Sequence, residues 1–178
     1  MSLPIAQLGQ PVLRQVAAVV PMEMIAQPEF QAFVLEMMET VYKEKGAGLA
    51  APQVFVSQRV FVGMIEPPME EGETPALEVF INPTVTAVGT KRVRAWEGCL
   101  SFPELLVLVP RFESVRIEYT NLTGALCVKD LDDFAARVVQ HELDHLEGIL
   151  TIDRAETPRN IIKASEIEAV RESTEGEE

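Results

Sequence analysis

The sequence predicts an α+β fold in which antiparallel β-sheets pack around a central helix. Three observations carry this. The middle of the chain is a succession of short apolar runs bounded by Pro or Gly, the pattern of strands joined by turns. One stretch, Ser114-Val115-Arg116-Ile117-Glu118-Tyr119-Thr120, alternates polar and apolar residues as a half-buried strand does. The chemically most marked helix comes late, and it carries the chain's 2 histidines in His141-Glu142-Leu143-Asp144-His145.

Taken in order, a first helix is expected over residues 30–45. Phe30, Phe33, Val34, Met37, Met38, Val41 and Tyr42 recur there at three- and four-residue spacing, and this stripe reads as core. Pro28 stands near its start and Gly46 just past its end. Strands are expected at residues 60–65, 78–81, 105–109 and 114–120. Asn121-Leu122-Thr123-Gly124 turns the last of these into a hairpin with residues 125–129. Asp132 or Asp133 caps the histidine-bearing helix, residues 134–147, and Gly148 closes it. A further helix is expected over residues 158–170.

The chain of 178 residues reads as one catalytic domain, 1–165, followed by an acidic segment, 166–178, expected to be frayed. That segment holds six Glu and one Arg, and the loop at residues 66–73 adds four carboxylates. A net charge of −13 excludes a nucleic-acid substrate, which needs a basic surface. No apolar run approaches the roughly 18 residues a membrane span requires. Met1-Ser2-Leu3-Pro4 does not open a secretory signal, so the expected location is the cytoplasm. Cys99 and Cys127 are accordingly expected as free thiols, and the Asn121-Leu122-Thr123 sequon as unused.

Histidines at i and i+4 share a helix face with Cβ atoms about 5–6 Å apart, so both can grip one metal ion. Glu142 lies round the helix from them, too far to ligate easily but within reach of a water on the metal, where a general base belongs. A catalytic centre of this kind wants a third protein ligand. Glu166 and Glu168, 21 and 23 residues past His145, are candidates in the manner of thermolysin. Cys99, in Glu97-Gly98-Cys99-Leu100-Ser101, is the other, since a thiolate is a soft ligand for iron or zinc.

Three motifs then carry a resemblance. Gly46-Ala47-Gly48-Leu49-Ala50-Ala51-Pro52-Gln53, Glu97-Gly98-Cys99-Leu100-Ser101 and Gln140-His141-Glu142-Leu143-Asp144-His145 resemble, in order, the three signature motifs of the peptide deformylase family. Gly9-Gln10-Pro11-Val12-Leu13-Arg14 resembles its N-terminal segment, with Gln10 where Asp is commoner. The resemblance spans roughly residues 5–155. It implies that Cys99, His141 and His145 bind one divalent metal, typically Fe²⁺, with Zn²⁺, Ni²⁺ or Co²⁺ able to replace it. Glu142 would move the proton, while the Gln53 side chain and the Leu100 N–H would stabilise the oxyanion. Substrates would be N-formylmethionyl nascent peptides, met in passing at the ribosome, and products formate and a free amine. Ala47, Gly48 and Gly98 would meet the peptide backbone, and Phe134 and Val138, with Ala47, would line the pocket for methionine. Glu97, Arg111 and Asp144 would support the ligands. Leu106 stands where some members carry a basic residue, and the acidic C-terminal segment does not suit rRNA. Two other readings stand beside this one. They are a thermolysin-like zinc endopeptidase using Glu166 or Glu168, and a catalytically silent homologue acting as a binding module.

Overall fold

A computed structural model of the protein describes residues 2–67 and 75–175, so most of the acidic loop, and the chain's last three residues, lie outside the described part. Four helices are described: α1 (Met22–Ile25), α2 (Pro28–Glu44), α3 (Asp133–Leu146) and α4 (Ile167–Glu175). The strands are β1 (Gly48–Ala50), β2 (Val60–Met64), β3 (Leu77–Ala87), β4 (Arg92–Glu97), β5 (Leu105–Phe112), β6 (Ser114–Thr120), β7 (Leu126–Asp132) and β8 (Ile161–Lys163). All named strand pairs are antiparallel. They form a five-stranded sheet, β1-β2-β3-β6-β7, and a three-stranded sheet, β4-β5-β8. This is the expected α+β class. No described helix is long and apolar enough to cross a membrane.

The larger sheet is covered on both faces, which explains why β2 is buried at every position. Strand side chains alternate between faces. Val60 and Val62 of β2 and Val79 and Ile81 of β3 pack with Val34, Met37 and Val41 of α2. Phe61 and Phe80 point the other way, to Ala135, Ala136, Val139 and Leu146 of α3. Phe61 and Phe80 stack with ring centroids 4.7 Å apart, and each side chain taken from water contributes about 1.5–3 kcal/mol. On its other side α3 touches β5 of the smaller sheet. A separate cluster, including Leu13, Cys99, Phe102, Val107, Val109 and Leu150, closes that side. The histidine helix therefore runs between two sheets.

Several local expectations shift. α2 ends one residue early, with Lys45 in the left-handed region at φ 54°. Its N–H reaches Tyr42 O and the Gly46 N–H reaches Val41 O, so the two orphan carbonyls are met in a Schellman pattern. Strand β3 continues past Pro83, because a register shift between Ile81 and Thr84 removes the ladder bond that proline cannot make. Asp132 occupies the N-cap of α3, yet its side chain makes no capping hydrogen bond.

The helix expected over residues 158–170 is replaced by a 3-10 turn (Pro158–Asn160), β8, a second 3-10 turn (Ala164–Glu166) and α4. Pairing of Ile161 and Ile162 with Val107 and Leu106 at the sheet edge outweighs the helical spacing. α4 covers the end of that expected helix, residues 167–170, and continues to Glu175.

Candidate metal centre

The centre is built where α3, the β4–β5 turn and β1 meet. His141 and His145 stand one turn apart on α3, with ring centroids 5.1 Å apart. Cys99 lies just beyond β4, in a tight turn held by the Phe102 N–H on Cys99 O at 3.1 Å. Its Sγ is 3.4 Å from His145 Nε2. One ligand atom from each of Cys99, His141 and His145 lies within 4.8 Å of the others. Glu166 and Glu168 take no part: the Glu166 carboxylate accepts from Ser165 Oγ at 2.8 Å, and Glu168 pairs with Arg171 at 3.0 Å.

Glu142 points across to β1. An added Cβ on Gly48 would meet its Oε1 at 2.5 Å, so only glycine permits this approach. Glu142 is 4% exposed, and its Oε2 is buried without a hydrogen-bond partner. Burial pushes its pKa up to about 7, against the opposing effect of His141. Gln53 sits in the 3-10 turn after β1. Its Oε1 accepts the Ala50 N–H at 2.9 Å, which aims Nε2 at Ser101 Oγ (3.2 Å) and Cys99 Sγ (3.6 Å). Leu100 follows Cys99 directly, and its side chain packs over Gly46.

A cavity of about 390 Å³ opens onto this group. Ala47, Gly48, Gln53, Glu97, Gly98, Cys99, Leu100, Phe134, Val138, His141 and Glu142 line it. His145 is 1% exposed and closes the centre from behind. Arg111 and Asp144 are buried as well but do not line this cavity.

The donor set fits a divalent cation. A soft thiolate and two imidazoles beside an open cavity are the donor chemistry of zinc and iron hydrolase centres. Burial pushes the pKa of His145 well below its ordinary value, the direction that favours the neutral imidazole a ligand needs. Glu142, whose Oε2 is buried without a hydrogen-bond partner, lines the same cavity as Cys99 and His141.

The sequence pattern of the polypeptide deformylase family matches residues 2–160. This chain belongs to that family. Among its relatives, peptide deformylase 2 of Nostoc sp. is 43% identical over 166 residues, 92% of each chain. The peptide deformylase of Thermotoga maritima has been solved, at 38% identity, 88% of this chain and 99% of that one, with a TM-score of 0.77. A class I type b peptide deformylase from Acinetobacter baumannii, solved with Met-Ala-Ser bound, is 32% identical over 86% of this chain and 98% of its own, with a TM-score of 0.79. Polypeptide deformylases are metal-dependent hydrolases that take the N-formyl group from nascent peptides.

Behind the deformylase motifs lies an ion network. Glu97 Oε2 is 2.9 Å from His141 Nδ1, leaving Nε2 for the centre. Arg111 grips Glu97 by Nε and Nη2, each at 3.0 Å, and turns Nη1 to Asp144 at 2.6 Å. Arg154 holds Asp144 from outside. The sequence reading did not single out Arg137, which lines the cavity and reaches Glu97 Oε1 at 2.7 Å. Its spacing held a signal, since it precedes His141 by one turn on the same face.

Burial opposes the charge on Glu97, but hydrogen bonds from His141 and Arg111 and the Arg111 charge outweigh it, so its pKa falls from 4.5 to about 2. A lowered carboxylate pKa contributes stability that is full above the unfolded value and lost as pH falls through the folded one. We expect unfolding free energy, measured by urea titration, to drop by about 3 kcal/mol from this group between about pH 5 and pH 2. The drop should be much smaller in E97Q, and equal drops in the two proteins would contradict the assignment.

Proposed function

We propose that this chain hydrolyses the terminal formamide of N-formylmethionyl nascent peptides, releasing formate and a free N-terminal amine. The observation that carries the reading is the third donor: among the described residues Cys99 Sγ, and no downstream glutamate, stands with His141 and His145. These three residues would hold one divalent metal, Fe²⁺ natively, with Zn²⁺, Ni²⁺ or Co²⁺ accepted by the same donors. When bound, such a metal supplies Lewis acidity and lowers the pKa of water on it from 15.7 towards about 7.

The rest is done by the chain's own groups. Glu142 takes a proton at its carboxylate and returns it to the leaving amine, and a pKa near 7 suits it to both tasks. The Gln53 Nε2–H and the Leu100 N–H donate to the formyl oxygen as negative charge develops there. Gln53 is held ready by its bond from the Ala50 N–H, so little reorganisation is needed. The free edge of β1 at Gly48, with Ala47 before it and Gly98 across the cavity, offers backbone groups to an extended peptide. Phe134 and Val138 give the cavity an apolar wall for the methionine side chain. Glu97 orients His141, and Arg111 with Asp144 holds Glu97.

Nascent chains are made in the cytoplasm, which is the location this reading assigns, and contact with the ribosome would be transient. Docking through α4 is disfavoured, because Glu168 and Glu172 meet phosphate with like charge.

Formate release from formyl-Met-Ala-Ser by protein purified without oxygen tests the proposal. We expect turnover that scales with bound metal and stops on chelation. Metal-loaded protein that releases no formate, or that cuts internal peptide bonds instead, would overturn it.

A further inference from the structure

We propose that Arg137 is a positioning residue that fixes His141 by clamping Glu97 from the cavity side. The inference rests on the deformylase reading for the identity of the centre, but not for the test of the clamp. Arg137 and His141 are four residues apart on α3, so their side chains leave the helix on one face and both reach the end of β4. There the Glu97 carboxylate is met on all sides. Oε1 accepts from Arg111 Nε at 3.0 Å and Arg137 Nη1 at 2.7 Å. Oε2 accepts from Arg111 Nη2 at 3.0 Å and lies 2.9 Å from His141 Nδ1.

The two arginines are not equivalent. Arg111 is 5% exposed and divides its guanidinium between Glu97 and Asp144. Arg137 makes the shorter bond to Glu97 and places two further donors on backbone: Nη1 to Val109 O at 3.1 Å and Nη2 to Val93 O at 2.7 Å. Val109 belongs to β5 and Val93 to β4, so one planar fork ties α3 to both strands that flank the Cys99 turn. The fork therefore sets where Glu97 stands relative to α3. Since Glu97 fixes the orientation of the His141 ring, it also sets where His141 Nε2 points relative to Cys99 Sγ. Lysine cannot do this: its single ammonium could keep the charge, but not bonds to three acceptors in one plane.

The test uses R137K, which keeps the charge and the alkyl stem against the cavity, and R137M, which keeps only the stem. Each is loaded with Co²⁺. Affinity is measured by competition with a chelator, and the geometry at the metal by the visible absorption of the cobalt–thiolate centre. A clamp predicts that both variants lose about 10-fold or more in Co²⁺ affinity, the loss expected for a partner of a ligating histidine. It also predicts shifted absorption bands and a lower kcat with KM for formyl-Met-Ala-Ser within about 2-fold. Variants with wild-type affinity and bands, even if less heat-stable, would overturn the clamp and leave Arg137 a plain tie between helix and strands. Failure of the wild-type protein to bind Co²⁺ would instead overturn the metal-centre reading beneath it. If R137M does not fold, the R137K result decides alone.

Discussion

Replacing Glu142 by Ala is expected to lower kcat for formate release by about 10²–10⁴-fold, the range a positioned general acid–base supplies. The protein should keep its metal, because Glu142 is outside the Cys99, His141 and His145 group. It should also keep its fold. The carboxylate makes no hydrogen bond through Oε2, so removing it leaves no buried partner stranded. E142Q is the sharper variant, being nearly isosteric against Gly48 while unable to take the proton. Paired measurements of kcat and metal content check the expectation. A variant within tenfold of wild type would remove Glu142 from the proton path. One that lost metal in proportion to activity would recast the residue as a ligand.

Replacing Cys99 by Ser should act the other way round, through the metal and not the proton. Partners of ligating groups contribute about 10–100-fold to metal affinity, and a direct ligand should contribute more. The hydroxyl of serine is a hard, weakly acidic donor where the two imidazoles need a soft third. We therefore expect C99S to purify with well under a tenth of the wild-type metal content, and its activity to fall in parallel. Truncation after Ala164, which removes both Glu166 and Glu168, should leave metal content unchanged, as neither approaches the centre. The reverse pattern, metal retained in C99S and lost on truncation, would restore the endopeptidase reading. The thiol also contributes to the apolar cluster with Leu13, Phe102 and Val107, so C99A serves as the control for packing.

Much of this was legible from residue order. The 3.6-residue period of α2 was unmistakable because its apolar stripe is long and is bounded by Pro28 and Gly46. The pairing of Cys99 with His141 and His145 came from motif order, since no spacing rule joins a turn to a distant helix. Strand β4 was invisible: Arg92, Val93 and Arg94 are exposed, so no buried face imprints a pattern on the sequence. β8 is an edge strand of three residues that exists because β5 offers it a partner. Arg137 escaped notice for a related reason. A charged residue on a helix normally faces water, and only the three-dimensional meeting with Glu97 and two strand carbonyls gives it a task.

The contact between Gly48 and Glu142 has an evolutionary consequence. Gly9, Gly89 and Gly124 have open space around their missing side chains, and what restrains them is a positive φ, which Asn or Asp can also tolerate. Gly48 is restrained by space, so its tolerance in a mutational library should be a single letter, with no chemically similar neighbour to drift through. A lineage could drift at exposed positions elsewhere while that one hydrogen atom stays constant; the rest of β1, Leu49 and Ala50, is itself fully buried. A small molecule that fills the gap over Gly48 would press on a position from which resistance has no short mutational route.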